Sequence, residues 1–155
     1  MALYELRLAA AQRVAQHPAI RVSDCERYFN SRYSADTIAQ LRKRYPHDRF
    51  VWVMGADNLA EFTRWRRWQE IFQALPIAIF DRQPYAQSAC ASKPLQRFSR
   101  QRVTEQAAND ITSRQPPAWV FLHGRLHAAS ASAIRKNTVG RDTTVENGNQ
   151  LGDVR

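Results

Sequence analysis

Residues 50–72 read FVWVMGADNLAEFTRWRRWQEIF. The apolar run at 50–54 has no polar alternation, which suits a strand buried on both faces. It breaks at Gly55, and a helical pattern follows over 59–74. A buried strand passing through a glycine into a helix is the unit from which parallel α/β sheets are built.

Working outward, the same alternation recurs. The N-terminal stretch predicts a helix over 2–16, with Leu3, Leu6, Ala10 and Val14 at amphipathic spacing. It ends at His17-Pro18, because the residue before a proline is pushed out of the helical region. A short β-like run, AIRVSD (19–24), comes next. A second helix opens at a cap on Ser34 or Asp36, carries Ile38, Leu41 and Tyr45 on one face, and stops at Pro46. Downstream of the central block, LPIAIFDR (75–82) reads as another apolar strand. A polar region follows over 83–117, with a helix predicted around 94–108 and a break at Pro116-Pro117. AWVFLHG (118–124) is a last strand leading into the helix start SASAIRKN. From 138 onward no apolar period remains, so 1–137 reads as one domain and 138–155 as a disordered tail. The expectation is an α/β fold with a mostly parallel sheet.

Bulk composition narrows the partners. The 155 residues are 44% hydrophobic, enough for one real core, and no apolar run approaches the length of a membrane span. Cys25 and Cys90 stand in no metal or redox spacing, which predicts free thiols and a cytoplasmic setting. The net charge of +9 favours anionic ligands. All basic residues except Lys43, Lys93 and Lys136 are arginine, and they are spread along the chain rather than gathered in one strip. Neither a nucleic acid nor a membrane is therefore the expected partner.

In open parallel sheets, ligands bind beyond the carboxyl ends of the strands. Three stretches fall there: Gly55-Ala56-Asp57, Asp81-Arg82 and Ser130-Ala131-Ser132. A glycine at a strand end lets backbone approach a ligand closely, and Asp57 is either an acceptor for ligand hydroxyls or the helix N-cap. Trp65 and Trp68 share a helix face. Trp68, with Ile71 and Phe72 beyond it, belongs to a core, whereas Trp65 lies nearer the strand end and can stack on a heteroaromatic ring. Ser130, Ser132 and Arg135 put two hydroxyls and a guanidinium at a helix start, a setting that favours anions. The same residues also make an ordinary cap with a solvated arginine. Tyr33, Ser34, Asp36 and Thr37 open a helix in the same manner. The histidines at 17, 47, 123 and 127 have no partner at recognisable spacing, and no metal site is read.

Taken in order, RYSADTI (32–38), the block at 50–71, PIAIFDR (76–82) and WVFLHGRLHAASASAIR (119–135) resemble bacterial nicotinate mononucleotide adenylyltransferases. The specific pieces are Gly-x-Asp with a tryptophan ten positions after the glycine, and the Ser-x-Ser-x-x-Arg near the end. The resemblance implies a Rossmann-like nucleotidyltransferase fold. It also implies adenylyl transfer from ATP, with Mg²⁺, to nicotinate mononucleotide, giving the deamido dinucleotide and pyrophosphate. Trp65 would stack on the pyridine ring. Tyr33, Ser34 and the backbone at Gly55 would line its pocket, with Asp57 beside the mononucleotide. Ser130, Ser132 and Arg135 would hold ATP phosphates, and Arg82 and Arg125 are further cations nearby.

Such enzymes open with a Gly-x-Phe-x-Pro-x-His-x-Gly-His segment that grips ATP, and this sequence has none. On the strand order 3-2-1-4-5-6 the run at 19–24 would be strand three and that at 50–54 strand four, with their usual neighbours missing. The expectation is an internal start at Met1 or a truncated copy, with no catalytic residue identified and little turnover by this chain alone. Two alternatives stay open. One is a catalytically dead remnant that keeps the Trp65 pocket, and the other is a basic nucleic-acid module using RWRRW.

Overall fold

The computed structural model describes residues 4–82, 85 and 89–123. The chain divides into two units, Met1–Gly124 and Arg125–Arg155, and every described residue falls in the first. Four strands form one sheet: β1 (Trp52–Gly55), β2 (Ile77–Phe80), β3 (Arg102–Val103) and β4 (Trp119–Leu122). Their order is β1-β2-β4-β3, and every pairing is parallel. Gly55 pairs with Phe80, and Phe80 with Leu122, so the three long strands end in line.

The apolar runs reflect burial on both faces. On one face Ile77, Ile79, Trp119 and Phe121 join Leu59, Phe62, Ile71 and Phe72 in the main core. On the other, Ala78 and Val120 pack with Ile111 and Ala118. Successive strand residues thus alternate between two cores, as the two-residue pleat requires. The first face is covered by α3 (Ser34–Arg44), α4 (Ala56–Phe62) and α5 (Trp68–Ala74). A 3₁₀ segment, Glu105–Ser113, supplies Ile111 to the second.

Four sequence expectations need correction. The first helix forms as α1 (Tyr4–Val14), but none of its residues is buried, and Leu6 and Val14 are exposed. Its apolar stripe joins neither buried core. The run at 19–24 is not a strand: residues 20–24 have no regular structure, Ile20 is exposed, and the short α2 (Cys25–Tyr28) follows directly. No described strand lies beside it, and a lone strand leaves its backbone groups without a ladder.

The single helix expected over 59–74 is two helices. Thr63 ends α4, and Arg67 takes a left-handed conformation (φ 57°, ψ 34°) immediately before α5. The break gives the two tryptophans different neighbours. Trp65 packs edge-on to Trp52 and against Phe62, while Trp68 also meets Phe72 and Phe98.

The helix expected over 94–108 is interrupted in the same way. It becomes the short α6 (Lys93–Arg97), a 3₁₀ turn, β3 and the 3₁₀ segment at 105–113. The Trp119 indole N–H donates to the Phe98 carbonyl at 2.6 Å, and Val103 pairs with Val120. A buried donor and a strand edge both need partners, and those needs outweigh the local helical pattern. The tail at 138–155 lies outside the described residues.

Candidate functional site

The carboxyl ends of β1, β2 and β4 carry one set of chemically useful residues. Gly55 ends β1 and occupies the N-cap position of α4 with φ −80°, so its backbone would accept any residue. Space, not conformation, is what a side chain there would contest: a Cβ would meet the Asp57 Oδ1, and that carboxylate would have to turn aside. Asp57 therefore sits in the first turn of α4 and does not cap it, which settles against the N-cap alternative. Its Oδ2 accepts a 2.8 Å hydrogen bond from the Arg82 guanidinium, just beyond the end of β2. Its Oδ1 is buried with no hydrogen-bond partner, and so is Asp81 Oδ1 on the neighbouring strand end. Buried acceptors left open are uncommon and call for an explanation.

At the end of β4 the structure reveals a pair that the sequence did not. Glu105 Oε1 accepts from the His123 backbone N–H at 2.8 Å, and Oε2 lies 2.9 Å from Nδ1 of the same residue. The ring hydrogen bond, followed by the backbone one, holds the Glu105 carboxyl below the usual carboxylate range. No local signal marks the pair, because its members are 18 positions apart.

A second set gathers around the start of α3 and the 63–67 loop. Tyr33 occupies the N-cap position of α3 without a side-chain capping bond, so neither Ser34 nor Asp36 is the cap expected from sequence. Ser34 is the first residue of the helix. The Arg66 guanidinium lies 4.7 Å from the Tyr33 ring centroid, a cation–π contact. Asp36 accepts a 2.6 Å hydrogen bond from Arg67, which also pairs with Glu70. That bond to Arg67 lowers the Glu70 pKa, while Glu70 and then Asp36 raise that of Arg67. The buried Thr37 hydroxyl bonds Ser31 Oγ at 2.7 Å and so anchors the turn before α3.

Trp65 belongs with this second set. It is half-buried beside Trp52, whose buried indole nitrogen has no acceptor. Trp52 is the first residue of β1 and Gly55 the last. The Arg66–Tyr33 contact thus joins the loop that carries Trp65 to the start of α3, and the Asp57–Arg82 pair joins the ends of β1 and β2. Ser130, Ser132 and Arg135, together with Arg125 and His127, lie outside the described residues.

Residues 3–137 match the cytidylyltransferase-like family. The chain belongs to that family, on its nicotinate-nucleotide adenylyltransferase branch. A Brucella abortus (strain 2308) relative is 48% identical over 130 residues, covering 84% of this chain and 67% of that protein. One from Agrobacterium fabrum is 40% identical over 137 residues, covering 88% and 73%. One from Ruegeria sp. (strain TM1040) is 40% identical over 130 residues, covering 84% and 69%. Each of the three is named "Probable nicotinate-nucleotide adenylyltransferase".

Members of this cytidylyltransferase-like family are enzymes, and the parallel sheet fits their Rossmann-like fold. No described helix is long and apolar enough to cross a membrane. Among the described residues, no three His, Cys, Asp or Glu side chains converge as a metal cage. Cys25 and Cys90 are free thiols.

Proposed function

We propose that this chain serves adenylyl transfer from ATP to nicotinate mononucleotide, in a cytoplasmic route to NAD. The reading rests on membership of the adenylyltransferase branch. The observation that carries it is the Asp57 carboxylate at the end of β1. One oxygen is fixed by Arg82 and the other is a buried acceptor without a donor, beside a glycine kept clear of side chain. A hydroxyl-bearing ligand at the strand ends would supply that donor.

In this reaction a phosphate oxygen of the mononucleotide attacks the α-phosphorus of ATP, and pyrophosphate leaves. No protein nucleophile is required, so the chain's contribution is positioning and charge neutralisation. Trp65 stacks on the pyridine ring, with Tyr33, Ser34 and the Gly55 backbone completing its pocket. Asp57 orients the mononucleotide and holds Arg82 in place. The remaining N–H groups of Arg82, whose side chain is half exposed, can face phosphate. Ser130, Ser132 and Arg135 hold the ATP phosphates, and Mg²⁺ arrives as the counter-ion of the ATP substrate.

The test is pyrophosphate release from MgATP and nicotinate mononucleotide, together with mononucleotide binding by the same chain. Base-aromatic stacking is worth about 1–3 kcal/mol, or roughly 5- to 150-fold in affinity. Trp65→Ala should weaken mononucleotide binding by a factor in that range. Unchanged binding by Trp65→Ala and Asp57→Asn together would refute the pocket. Turnover by the chain alone is read in the same assay: binding without pyrophosphate release would favour the mononucleotide-binding remnant.

A further inference from the structure

The opposite end of the sheet holds a cavity that the adenylyl-transfer reading does not use. It has a volume of about 560 Å³, within the roughly 300–1,000 Å³ typical of small-molecule pockets. Its walls are the segments that lead into β1, β2 and β4, so it opens at the amino ends of the strands. Arg42 and Lys43 reach it from the last turn of α3, Arg49 from the loop before β1, and Arg114 from the segment before β4. Asp48 is the one acidic residue among its lining residues.

Helix electrostatics account for part of this charge. Cations in a last helical turn face the partial negative charge of the carbonyl ends, which suits Arg42 and Lys43. That does not account for Arg49 and Arg114, which converge from two other loops. Arg42, Lys43 and Arg114 have no ion-pair partner among the described residues, and Arg49 donates only to the Ser113 hydroxyl at 2.9 Å. Four like charges set against the single Asp48 give this cavity a positive potential that favours an anionic ligand. Tyr45 stands at the rim with 46% of its surface exposed, its ring edge-on to Phe50.

We propose that this cavity is a second ligand site, separate from the carboxyl ends of the strands, which takes a nucleoside di- or triphosphate. The phosphates sit among Lys43, Arg49 and Arg114, where planar guanidinium groups can bind oxygens in pairs. The base lies on Tyr45. A cavity of about 560 Å³ has room for a compact ligand, and its cations converge on it from three segments.

The probe is ADP, titrated into the full chain at physiological salt and followed by amide chemical shifts and calorimetry. The expected result is saturable binding with shifts concentrated at residues 42–50 and 112–116. The double variant Arg49→Ala/Arg114→Ala should weaken it at least tenfold. Tyr45→Ala should weaken ADP but leave pyrophosphate binding at this site unchanged. Lys43→Glu, an exposed change at a helix end, provides a second check should the double variant fail to fold. Asp57→Asn should leave ADP binding here intact, which separates this site from the adenylyl-transfer reading. Shifts confined to residues 55–57, 80–82 and 123, or equal affinity in the Lys43→Glu variant, would overturn the proposal. So would an oligonucleotide that displaces ADP and binds with a steep salt dependence.

Discussion

Gly55 is the residue whose role changed most between sequence and structure. A glycine at a strand end suggests backbone kept clear for a ligand, and the clearance is real, but the group closest to it is the Asp57 carboxylate. With φ at −80°, alanine would fit the backbone and fail only on space. Gly55→Ala should therefore push Asp57 aside, break its pairing with Arg82 and cost about 1–3 kcal/mol, the usual range for overpacking. Urea unfolding measures that loss. In an Asp57→Ala background the same glycine change should cost far less, because the overlapping oxygen is gone. Equal costs in both backgrounds would mean that the carboxylate is not what excludes a side chain at position 55.

Elements were legible where the apolar pattern was long and unbroken, and less so where tertiary partners decided their ends. The stop of α3 and the strands at β1, β2 and β4 follow from a proline and apolar runs, whereas the cap of α3 does not. The break between α4 and α5 does not, because nothing local forbids a helix from continuing through Arg64-Trp65-Arg66-Arg67. Arg67 is drawn out of line by partners on two elements, Asp36 on α3 and Glu70 on α5. Holding a non-glycine residue in the left-handed region costs about 1–2 kcal/mol. Exposed ion pairs, screened by solvent, contribute little against that strain. Arg67→Ala loses the pairs and keeps the strain, while Arg67→Gly loses both. The glycine variant should accordingly be the more stable of the two by about 1 kcal/mol, measured by chemical denaturation. An alanine variant as stable as the glycine one would show that the left-handed turn relaxes once the guanidinium is removed.

For the whole molecule, the sheet order assigns stability. β2 and β4 are central and contribute the fully buried Ile77, Ile79 and Val120, whereas β1 has one paired neighbour among the described residues and exposes Val53. Hydrogen exchange should be slowest in β2 and β4, and faster in β1 and the two-residue β3. Uniform protection across all four strands would mean that the β1 edge is covered in solution. The sequence by itself determined the α/β class, the three long strands and the family, because each is written in contiguous residues: apolar runs, a glycine with an acid two places on, a tryptophan at fixed spacing. Only the tertiary structure decided that 19–24 stays out of the sheet, that Arg102 and Val103 enter it, and that Glu105 meets His123. These outcomes depend on which distant backbone edge, cation or donor is left without a partner, and no local pattern carries that information. The basic cavity at the strand starts is of the same kind, since its cations come from three separate segments that only folding brings together.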